Sequence, residues 1–322
     1  MKKYPLGRSG IAVAPLALGG NVFGWTADEQ RSFEVLDEFV AGGFNLIDTA
    51  DVYSIFVKGH VGGESESTIG RWLERRGRRD DVVIATKVGM EMGPAGKGLS
   101  RKHILAAADA SLRRLKTDYI DLYQAHIDDK TVPLEETLGA FADLVAAGKV
   151  RAIGASNYEA ERLAAALRTS ETLGLPRFET MQPWYNLYDR VSFEGPLQDL
   201  CRREQLGVIP YFGLASGFLT GKYRSEKDLA GSARAYRVKT MLNERGLKIL
   251  AALDAVAAEY GATPAQVALA WLRSHGVVAP IASATSARQL QELAGFARIQ
   301  LGPQAVAQLD AASVGGDPPP PW

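Results

Sequence analysis

Short apolar segments alternate with longer amphipathic segments from one end of the chain to the other. A continuous apolar segment is typical of a strand buried on both faces of a parallel sheet, whereas apolar positions three to four residues apart are typical of a helix. On this basis we predict eight strands, at residues 15–18, 44–48, 82–87, 119–125, 150–155, 180–183, 208–211 and 277–281. We predict helices at residues 28–41, 66–75, 101–115, 134–146, 160–167, 193–204, 244–260 and 264–275.

This alternation favours a closed α/β barrel, the (β/α)8 TIM barrel, over an open doubly wound sheet. Segments 2–6 and 11–14 flank Arg8-Ser9-Gly10 and predict an N-terminal β-hairpin that covers the bottom of the barrel. Two extra helices are predicted, one before the last strand and one at residues 302–312. We therefore expect a single barrel domain at residues 1–316, followed at 317–322 by an extended Pro-rich C-terminal tail.

The composition excludes several classes of function. The 37 basic and 37 acidic side chains balance, which removes the electrostatic signature of a protein that binds nucleic acid or an anionic membrane. Cys201 is the single cysteine, so neither an intrachain disulfide nor a cysteine-rich metal site can form. No segment approaches 18 consecutive apolar residues. We expect a soluble, cytoplasmic protein with no nucleic-acid or membrane partner, and the sequence leaves its oligomeric state open.

Common catalytic motifs are absent. The chain contains no G-x-G-x-x-G, H-E-x-x-H, C-x-x-C or G-x-S-x-G, and its four histidines lack the spacing of metal ligands. A Rossmann cofactor domain, a metal site and acyl transfer are therefore disfavoured, and we predict no bound metal.

Ionisable residues occur where three consecutive predicted strands end. Asp48 and Lys87 end the second and third strands, His126 follows the fourth, and Tyr53 lies in the loop that begins after Asp48. Each could cap a helix or face solvent when taken alone. Because the carboxyl ends of barrel strands meet at one mouth, where catalytic residues of such barrels lie, we predict that these side chains form one site.

The residues of this site also carry a resemblance. Residues 45–53 (N-L-I-D-T-A-D-V-Y) closely resemble the aldo-keto reductase signature, as do segments 85–87, 121–126, 154–157 and 182–186. The resemblance covers residues from about 4 to about 314 and is strongest to the bacterial branch related to potassium-channel β subunits and aryl-alcohol dehydrogenases. It implies a (β/α)8 barrel that uses NADPH or NADH without a Rossmann domain.

The resemblance assigns a role to each of the four residues. Tyr53 would be the general acid that protonates a carbonyl oxygen as hydride arrives from the nicotinamide. Because an unperturbed phenol has a pKa of about 10, Lys87 would lower the pKa of Tyr53, and Asp48 would keep Lys87 charged and in place. His126 would donate a hydrogen bond to the carbonyl oxygen.

The resemblance also implies a set of cofactor contacts. Ser156, Asn157 and Gln182 would bind the nicotinamide carboxamide, and Tyr211 would stack on the ring. The remaining expected cofactor contacts are Gly20 and Asn21, then Leu214, Ser216, Lys222 and Arg234 around the pyrophosphate, and Ser283, Thr285, Gln289 and Glu292 at the adenosine end.

The adenosine end departs from the family pattern at two positions. Ser283 stands where glycine is usual, and Leu293 stands where asparagine is usual. Gln289 has a second interpretation, since residues 286–289 also have the pattern of a helix capping box. Arg288 at the start of the same helix favours a 2′-phosphate, and hence NADPH, with NADH as the alternative.

The sequence says less about the carbonyl substrate. Aromatic residues are available near the predicted mouth, and Trp25 and Trp184 are the ones expected to line it; Phe23, Phe56 and Tyr185 are the others. We expect an aromatic or otherwise apolar aldehyde, with the loop at residues 54–65 shaping specificity.

Two other functions remain open from the sequence. One is a cofactor-binding regulatory subunit, since the related channel β subunits bind a partner while they retain the four site residues. The other is a barrel lyase or isomerase in which Lys87 forms a Schiff base; a neighbouring Asp48 would keep that amine protonated, which argues against it.

Overall fold

The computed structural model describes residues 1–231 and 234–316, so the predicted tail at 317–322 lies outside the described residues. Its strands are β1 (Tyr4–Pro5), β2 (Ala12–Val13), β3 (Ala17–Gly19), β4 (Leu46–Asp48), β5 (Val83–Val88), β6 (Ile120–Ala125), β7 (Val150–Ser156), β8 (Phe178–Gln182), β9 (Gly207–Val208) and β10 (Ile281–Ala282). Its α-helices are α1 (Glu29–Ala41), α2 (Glu64–Arg76), α3 (Arg101–Leu115), α4 (Leu134–Ala146), α5 (Ala160–Leu173), α6 (Pro196–Arg203), α7 (Ala235–Met241), α8 (Glu244–Tyr260), α9 (Pro264–Ser274), α10 (Ala287–Ala294) and α11 (Pro303–Ser313).

The eight strands β3 to β10 form one parallel sheet in the order β10-β3-β4-β5-β6-β7-β8-β9. The two outer strands of this order are joined by backbone hydrogen bonds, from Val278 N to Val208 O and from Ile281 N to Pro210 O, each 2.9 Å long. We call this junction the β9/β10 seam. The predicted (β/α)8 barrel is confirmed.

Two apolar layers hold the barrel together. Inward side chains such as Leu46, Val83 and Leu122 fill its centre, while a larger layer packs between the strands and the surrounding helices. The β1–β2 hairpin adds Leu6 and Ile11 to the central layer. The hairpin therefore covers the bottom of the barrel, as predicted, and leaves the carboxyl ends of the strands open at the other end.

Helix boundaries follow the capping residues. The predicted bounds of α3, α4 and α8 are confirmed to the residue, and the Ser100 and Asn243 side chains accept the N-cap hydrogen bonds of α3 and α8. Thr263 and Gln266 form the predicted capping box of α9. The predicted extra helices are confirmed, and the short helix α7 is an addition that the sequence pattern did not predict.

Two predicted strands are shorter than expected. The segment 208–211 contributes only its first residue to β9, and 277–281 contributes only its last residue to β10. Pro210 and Pro280 lie in these segments, and a proline has no N–H to give to a ladder. Among the residues that the structure describes, no helix combines the length and the apolar character that crossing a bilayer would require.

Candidate active site

Lys87 is the centre of the site at the mouth of the barrel. Its fully buried Nζ donates to Asp48 Oδ2 at 2.7 Å, to the Thr49 carbonyl at 2.8 Å and to Tyr53 Oη at 2.8 Å. A neutral amine has two N–H donors and an ammonium has three. The three contacts therefore fit the charged form of Lys87.

Tyr53 and His126 complete the group. The Tyr53 hydroxyl donates to Asp48 Oδ2 at 3.1 Å, so that one carboxylate oxygen serves both Tyr53 and Lys87. The His126 ring lies edge-on to the Tyr53 ring, with 6.0 Å between centroids and 74° between planes. The structure thus brings all four predicted catalytic residues together.

The acid–base properties of Tyr53 differ from the expectation. Burial, followed by the Asp48 carboxylate, raises the pKa of Tyr53 well above its ordinary value, whereas we expected Lys87 to lower it. Removing water from a phenol disfavours the phenolate, and the Asp48 charge acts in the same direction. Burial also lowers the pKa of Lys87, with Asp48 opposing that effect.

His126 is neutral in this setting. Burial and the nearby Lys87 charge lower the pKa of its imidazole well below the ordinary value. Its Nδ1 is buried and has no partner among the described residues. A neutral imidazole keeps one N–H donor, which is the form that can hydrogen-bond a carbonyl oxygen without protonating it.

Gln182 and Gln124 support the other oxygen of Asp48. The Gln182 amide donates to Asp48 Oδ1 at 2.9 Å and to Gln124 Oε1 at 3.3 Å. Gln182 is therefore next to the catalytic group, although its amide nitrogen faces Asp48. We did not single out Gln124 from the sequence. It pairs with Lys87 in the β5–β6 register, so strand alternation from Lys87 would have placed it inside the barrel.

The other expected nicotinamide residues form a connected group beside the site. Tyr211 Oη donates to Asn157 Oδ1 at 2.7 Å, and Asn157 Nδ2 donates to the His126 carbonyl at 2.9 Å. Ser156 Oγ donates to the Gln182 carbonyl at 2.9 Å. Asn157 has a positive φ of 57°, which non-glycine residues seldom adopt.

The loop after β9 has an unusual backbone. Ala215, Ser216 and Gly217 have consecutive positive φ values of 48°, 57° and 91°. Such strain in non-glycine residues concentrates at ligand-binding sites. The expected pyrophosphate contacts lie on this loop or beside it: Leu214 precedes the strained turn, a Cβ on Gly217 would lie 3.7 Å from Lys222 Nζ, and Arg234 is the N-cap residue of α7.

The expected adenosine end contacts the loop after β3, which carries Gly20 and Asn21. Ser283 Oγ donates to Asn21 Oδ1 at 2.6 Å, and Gly20 N donates to the Asp48 carbonyl at 2.7 Å. Thr285 N donates to Gln289 Oε1 at 2.9 Å.

Around α10, Ser286 caps the helix as the capping-box pattern predicts, but the second hydrogen bond of that box does not form. Ser286 caps the helix by accepting from Gln289 N, but the Gln289 side chain reaches Thr285 instead of closing the predicted capping box. The Glu292 carbonyl accepts from Gln266. Leu293 is buried in the outer apolar layer, because α10 packs with that face against the barrel.

Aromatic side chains lie at the mouth in two pairs. The partly buried Trp25 meets the exposed Phe56 edge-on at 4.9 Å. Trp184 lies 4.6 Å from Phe212, and the Arg237 guanidinium lies 4.9 Å from the Phe212 centroid. Two of the other aromatic residues expected near the mouth, Phe23 and Tyr185, are fully buried in the outer apolar layer, so they pack the fold instead of lining the mouth.

Comparison with known proteins gives a consistent result. The model of the aldo/keto reductase family matches residues 15–314. The chain is 33% identical to Protein tas of Escherichia coli K12 over 97% of each protein. It is 34% identical to a probable voltage-gated potassium channel subunit beta of Arabidopsis thaliana, with 91% of this chain and 90% of the relative covered. It is 31% identical to L-glyceraldehyde 3-phosphate reductase of E. coli K12, with 97% and 92% covered.

Proposed function

This chain belongs to the aldo/keto reductase family, and we propose that it reduces an aldehyde or ketone to the alcohol with NADPH, using Tyr53 as the general acid. The observation that carries the proposal is the contact of the Tyr53 hydroxyl with both Lys87 and Asp48 beside a neutral His126. Relatives of this chain are named as reductases, in agreement with such chemistry.

The chain offers a surface that fits a dinucleotide. The strained turn at Ala215, Ser216 and Gly217 and the nearby Lys222 suit a pyrophosphate. Arg234, the N-cap residue of α7, and Arg237 in the first turn of that helix add positive charge beside this loop. Asn157, Gln182 and Tyr211 would hold the nicotinamide end. NADPH is proposed over NADH because Arg288 is exposed in the first turn of α10.

The residues account for the proton transfer. When bound, the cofactor supplies the hydride that adds to the carbonyl carbon. The carbonyl oxygen gains negative charge, and His126 is placed to stabilise that charge by donating a hydrogen bond. The Tyr53 hydroxyl turns from Asp48 to this oxygen, where the new O–H bond forms as the Tyr53 O–H bond breaks.

The high pKa of Tyr53 keeps its proton in place until the substrate needs it. Lys87 then faces the phenolate that remains, at a distance of 2.8 Å, and stabilises it by charge and hydrogen bonding. Asp48 holds Lys87 in this position through its own 2.7 Å contact. Asp48 and Lys87 thus act on the phenolate product of the proton transfer more than on the resting phenol.

We further propose that the substrate is an aromatic or otherwise apolar aldehyde. Trp25 with Phe56, and Trp184 with Phe212, offer two aromatic walls in the loops at the mouth. A phosphorylated aldehyde is the informative competitor, because Arg237 lies over the Trp184 and Phe212 rings and one relative is named a glyceraldehyde 3-phosphate reductase.

Two measurements test the function. Quenching of tryptophan fluorescence should show saturable binding of NADPH, with weaker binding of NADH. NADPH consumption is then followed with benzaldehyde and, in parallel, with glyceraldehyde 3-phosphate. Tyr53→Phe should lower kcat by about 10²- to 10⁴-fold without weakening NADPH binding, because it removes only the transferred proton.

Tyr119→Phe is the matched control, since Tyr119 directly precedes β6 at the amino end of that strand, opposite the mouth. Folded protein that binds neither cofactor would refute the proposal. Cofactor binding without turnover of any carbonyl compound would instead favour the regulatory subunit suggested by the channel-subunit relatives.

A further inference from the structure

A second group of charged residues lies directly behind the catalytic site. Asp51 and Glu66, which we call the carboxyl pair, are 2% and 0% exposed. Asp51 lies in the loop after β4, and Glu66 lies in the first turn of α2. The mechanism above uses neither residue.

Glu66 has partners for both of its oxygens. Thr86 Oγ1 donates to Glu66 Oε1 at 2.5 Å, and Arg114 Nε donates to Glu66 Oε2 at 2.6 Å. Asp51, in contrast, has a carboxyl oxygen without a hydrogen-bond partner among the described residues. This oxygen is the buried Oδ1, although the backbone N–H of Asp51 points at the Lys87 carbonyl from 3.4 Å.

The charges in this region do not balance if both carboxyls are ionised. Arg114 is already hydrogen-bonded to Glu66, so an ionised Asp51 would be a second buried anion beside a single guanidinium. A buried, unpaired carboxylate is costly, and a proton on Asp51 removes that cost. In agreement, burial and the Glu66 charge raise the pKa of Asp51 to about 8.

The charge on Asp51 is felt in the active site. Asp51 lies within the turn that runs from Asp48 to Tyr53, and its negative charge raises the pKa of both Lys87 and Tyr53. The charged and titratable groups around it, from every element packed there, are Asp48 and Tyr53 on its own loop, Glu66 on α2, Lys87 on β5, Arg114 on α3 and Tyr123 on β6.

We propose that Asp51 is a positioning residue of the reaction: it holds a proton at neutral pH and, on losing it, places a negative charge that keeps Lys87 and Tyr53 protonated at higher pH. The inference rests on the proposed carbonyl reduction. It means that the acid form of Tyr53 and the ammonium form of Lys87 are maintained together as the solution becomes alkaline.

The test compares wild-type protein with Asp51→Asn, which has nearly the shape of the protonated aspartate. Below pH 7 both side chains are neutral, and kcat should be the same. Above pH 8 the wild-type residue is charged and the variant is not, so the alkaline limb of the kcat profile should move to lower pH in the variant by on the order of one pH unit. Asp199→Asn, which removes a carboxylate that is 65% exposed on α6, is the matched control.

A second readout needs no cofactor. Because the folded-state pKa of Asp51 is raised, its proton stabilises the fold at low pH, and that stabilisation is lost as pH rises through about 8. The urea midpoint of wild type should therefore fall relative to Asp51→Asn between pH 5 and pH 9. If Asp51→Asn does not fold, the same measurement on Glu66→Gln should show the fall displaced to lower pH, since the like charge that opposes Asp51 ionisation is gone.

The outcomes separate the inference from the function. Parallel kcat profiles, or a loss of activity in Asp51→Asn that is equal at pH 6 and pH 9, would overturn the inference by showing a structural role only. A pH-independent difference in urea midpoints would overturn it as well. If wild-type protein reduces no carbonyl compound, the proposed function fails, and the role of Asp51 in the reaction fails with it, whatever the urea comparison shows.

Discussion

At the scale of single residues, the acid–base properties of the candidate site depend on the burial of Lys87 from water. Burial lowers the pKa of Lys87 and, with the Asp48 charge, raises the pKa of Tyr53 well above its ordinary value, so the phenol becomes the weaker acid of the two, the reverse of their order in water. Across their 2.8 Å contact Tyr53 therefore keeps its proton while Lys87 donates to it.

The neutral state of His126 makes the protein sensitive to acid. Because burial and Lys87 lower its pKa, the unfolded chain takes up a proton below about pH 6.5 that the folded chain does not. Stability is therefore present above that pH and is lost as pH falls. We expect the urea midpoint of His126→Asn to decrease less than that of wild type between pH 7.5 and pH 5.

His60→Asn removes an imidazole outside the Lys87 group and is the control for this comparison. Equal decreases in wild type and His126→Asn would show that His126 does not resist protonation. Loss of carbonyl reduction in His126→Asn is a separate readout of its hydrogen bond to the substrate.

The sequence revealed the four site residues but not their electrostatics. Asp48, Lys87 and His126 could be found because each follows a strand, and the ends of parallel strands meet. The direction in which the Tyr53 pKa shifts depends on burial from all sides. The charge that raises the pKa of Asp51 comes from Glu66 on α2, a helix that starts after a loop. Neither is encoded in a local pattern.

At the scale of elements, the start of α10 is the part of the proposed cofactor site that we expect to separate NADPH from NADH. Ser286 caps this helix, Thr285 is tied to Gln289, and Arg288 projects from the exposed first turn. An amino-terminal helix turn with an arginine favours a phosphate group.

We expect Arg288→Ala to weaken NADPH binding roughly tenfold and to leave NADH binding unchanged, because NADH lacks the 2′-phosphate. The fluorescence titration described above measures both dissociation constants. Arg202→Ala, on the exposed face of α6, should change neither. Equal weakening of the two cofactors would mean that Arg288 does not contact the 2′-phosphate.

Prediction of elements succeeded where local chemistry marks the boundary. The bounds of α3 and α8 were predicted to the residue, and their N-cap residues Ser100 and Asn243 are visible in the sequence, as is Thr263 before α9. The bounds of β9 and β10 were not, because an apolar segment continues through Pro210 and Pro280 although the ladder cannot. Helix α7 is short and follows a loop, so it had little periodicity to detect.

At the scale of the whole molecule, the end of the barrel opposite the mouth contains an ion cluster around the buried Asp121. Asp121 accepts from Arg151 at 2.6 Å, from Arg79 at 2.5 Å and from the Ile84 N–H at 2.9 Å. The cluster ties β5, β6 and β7 together near their amino ends, whereas Asp48, Lys87 and His126 lie at the carboxyl ends of their strands.

We expect Asp121→Ala to lower the free energy of unfolding by about 3 kcal/mol, because it leaves two arginines without their buried counter-charge. Urea unfolding measures this loss, and the NADPH dissociation constant should not change. Asp80→Asn removes a carboxylate that is 79% exposed and should have little effect on stability. A loss of cofactor binding in folded Asp121→Ala would show that the two ends of the barrel are not independent.

The β9/β10 seam is the place where the parallel sheet closes on itself to form the barrel. Its hydrogen bonds join segments that contain Pro210 and Pro280, outside any regular ladder. The loop after β9 carries Ser216 and the loop after β10 carries Ser283, so a dinucleotide held by both loops would lie across the β9/β10 seam. A ligand that binds the closed barrel and not an opened one shifts the equilibrium towards the closed barrel. A bound cofactor would then stabilise the closed barrel as well as supply the hydride for the reaction.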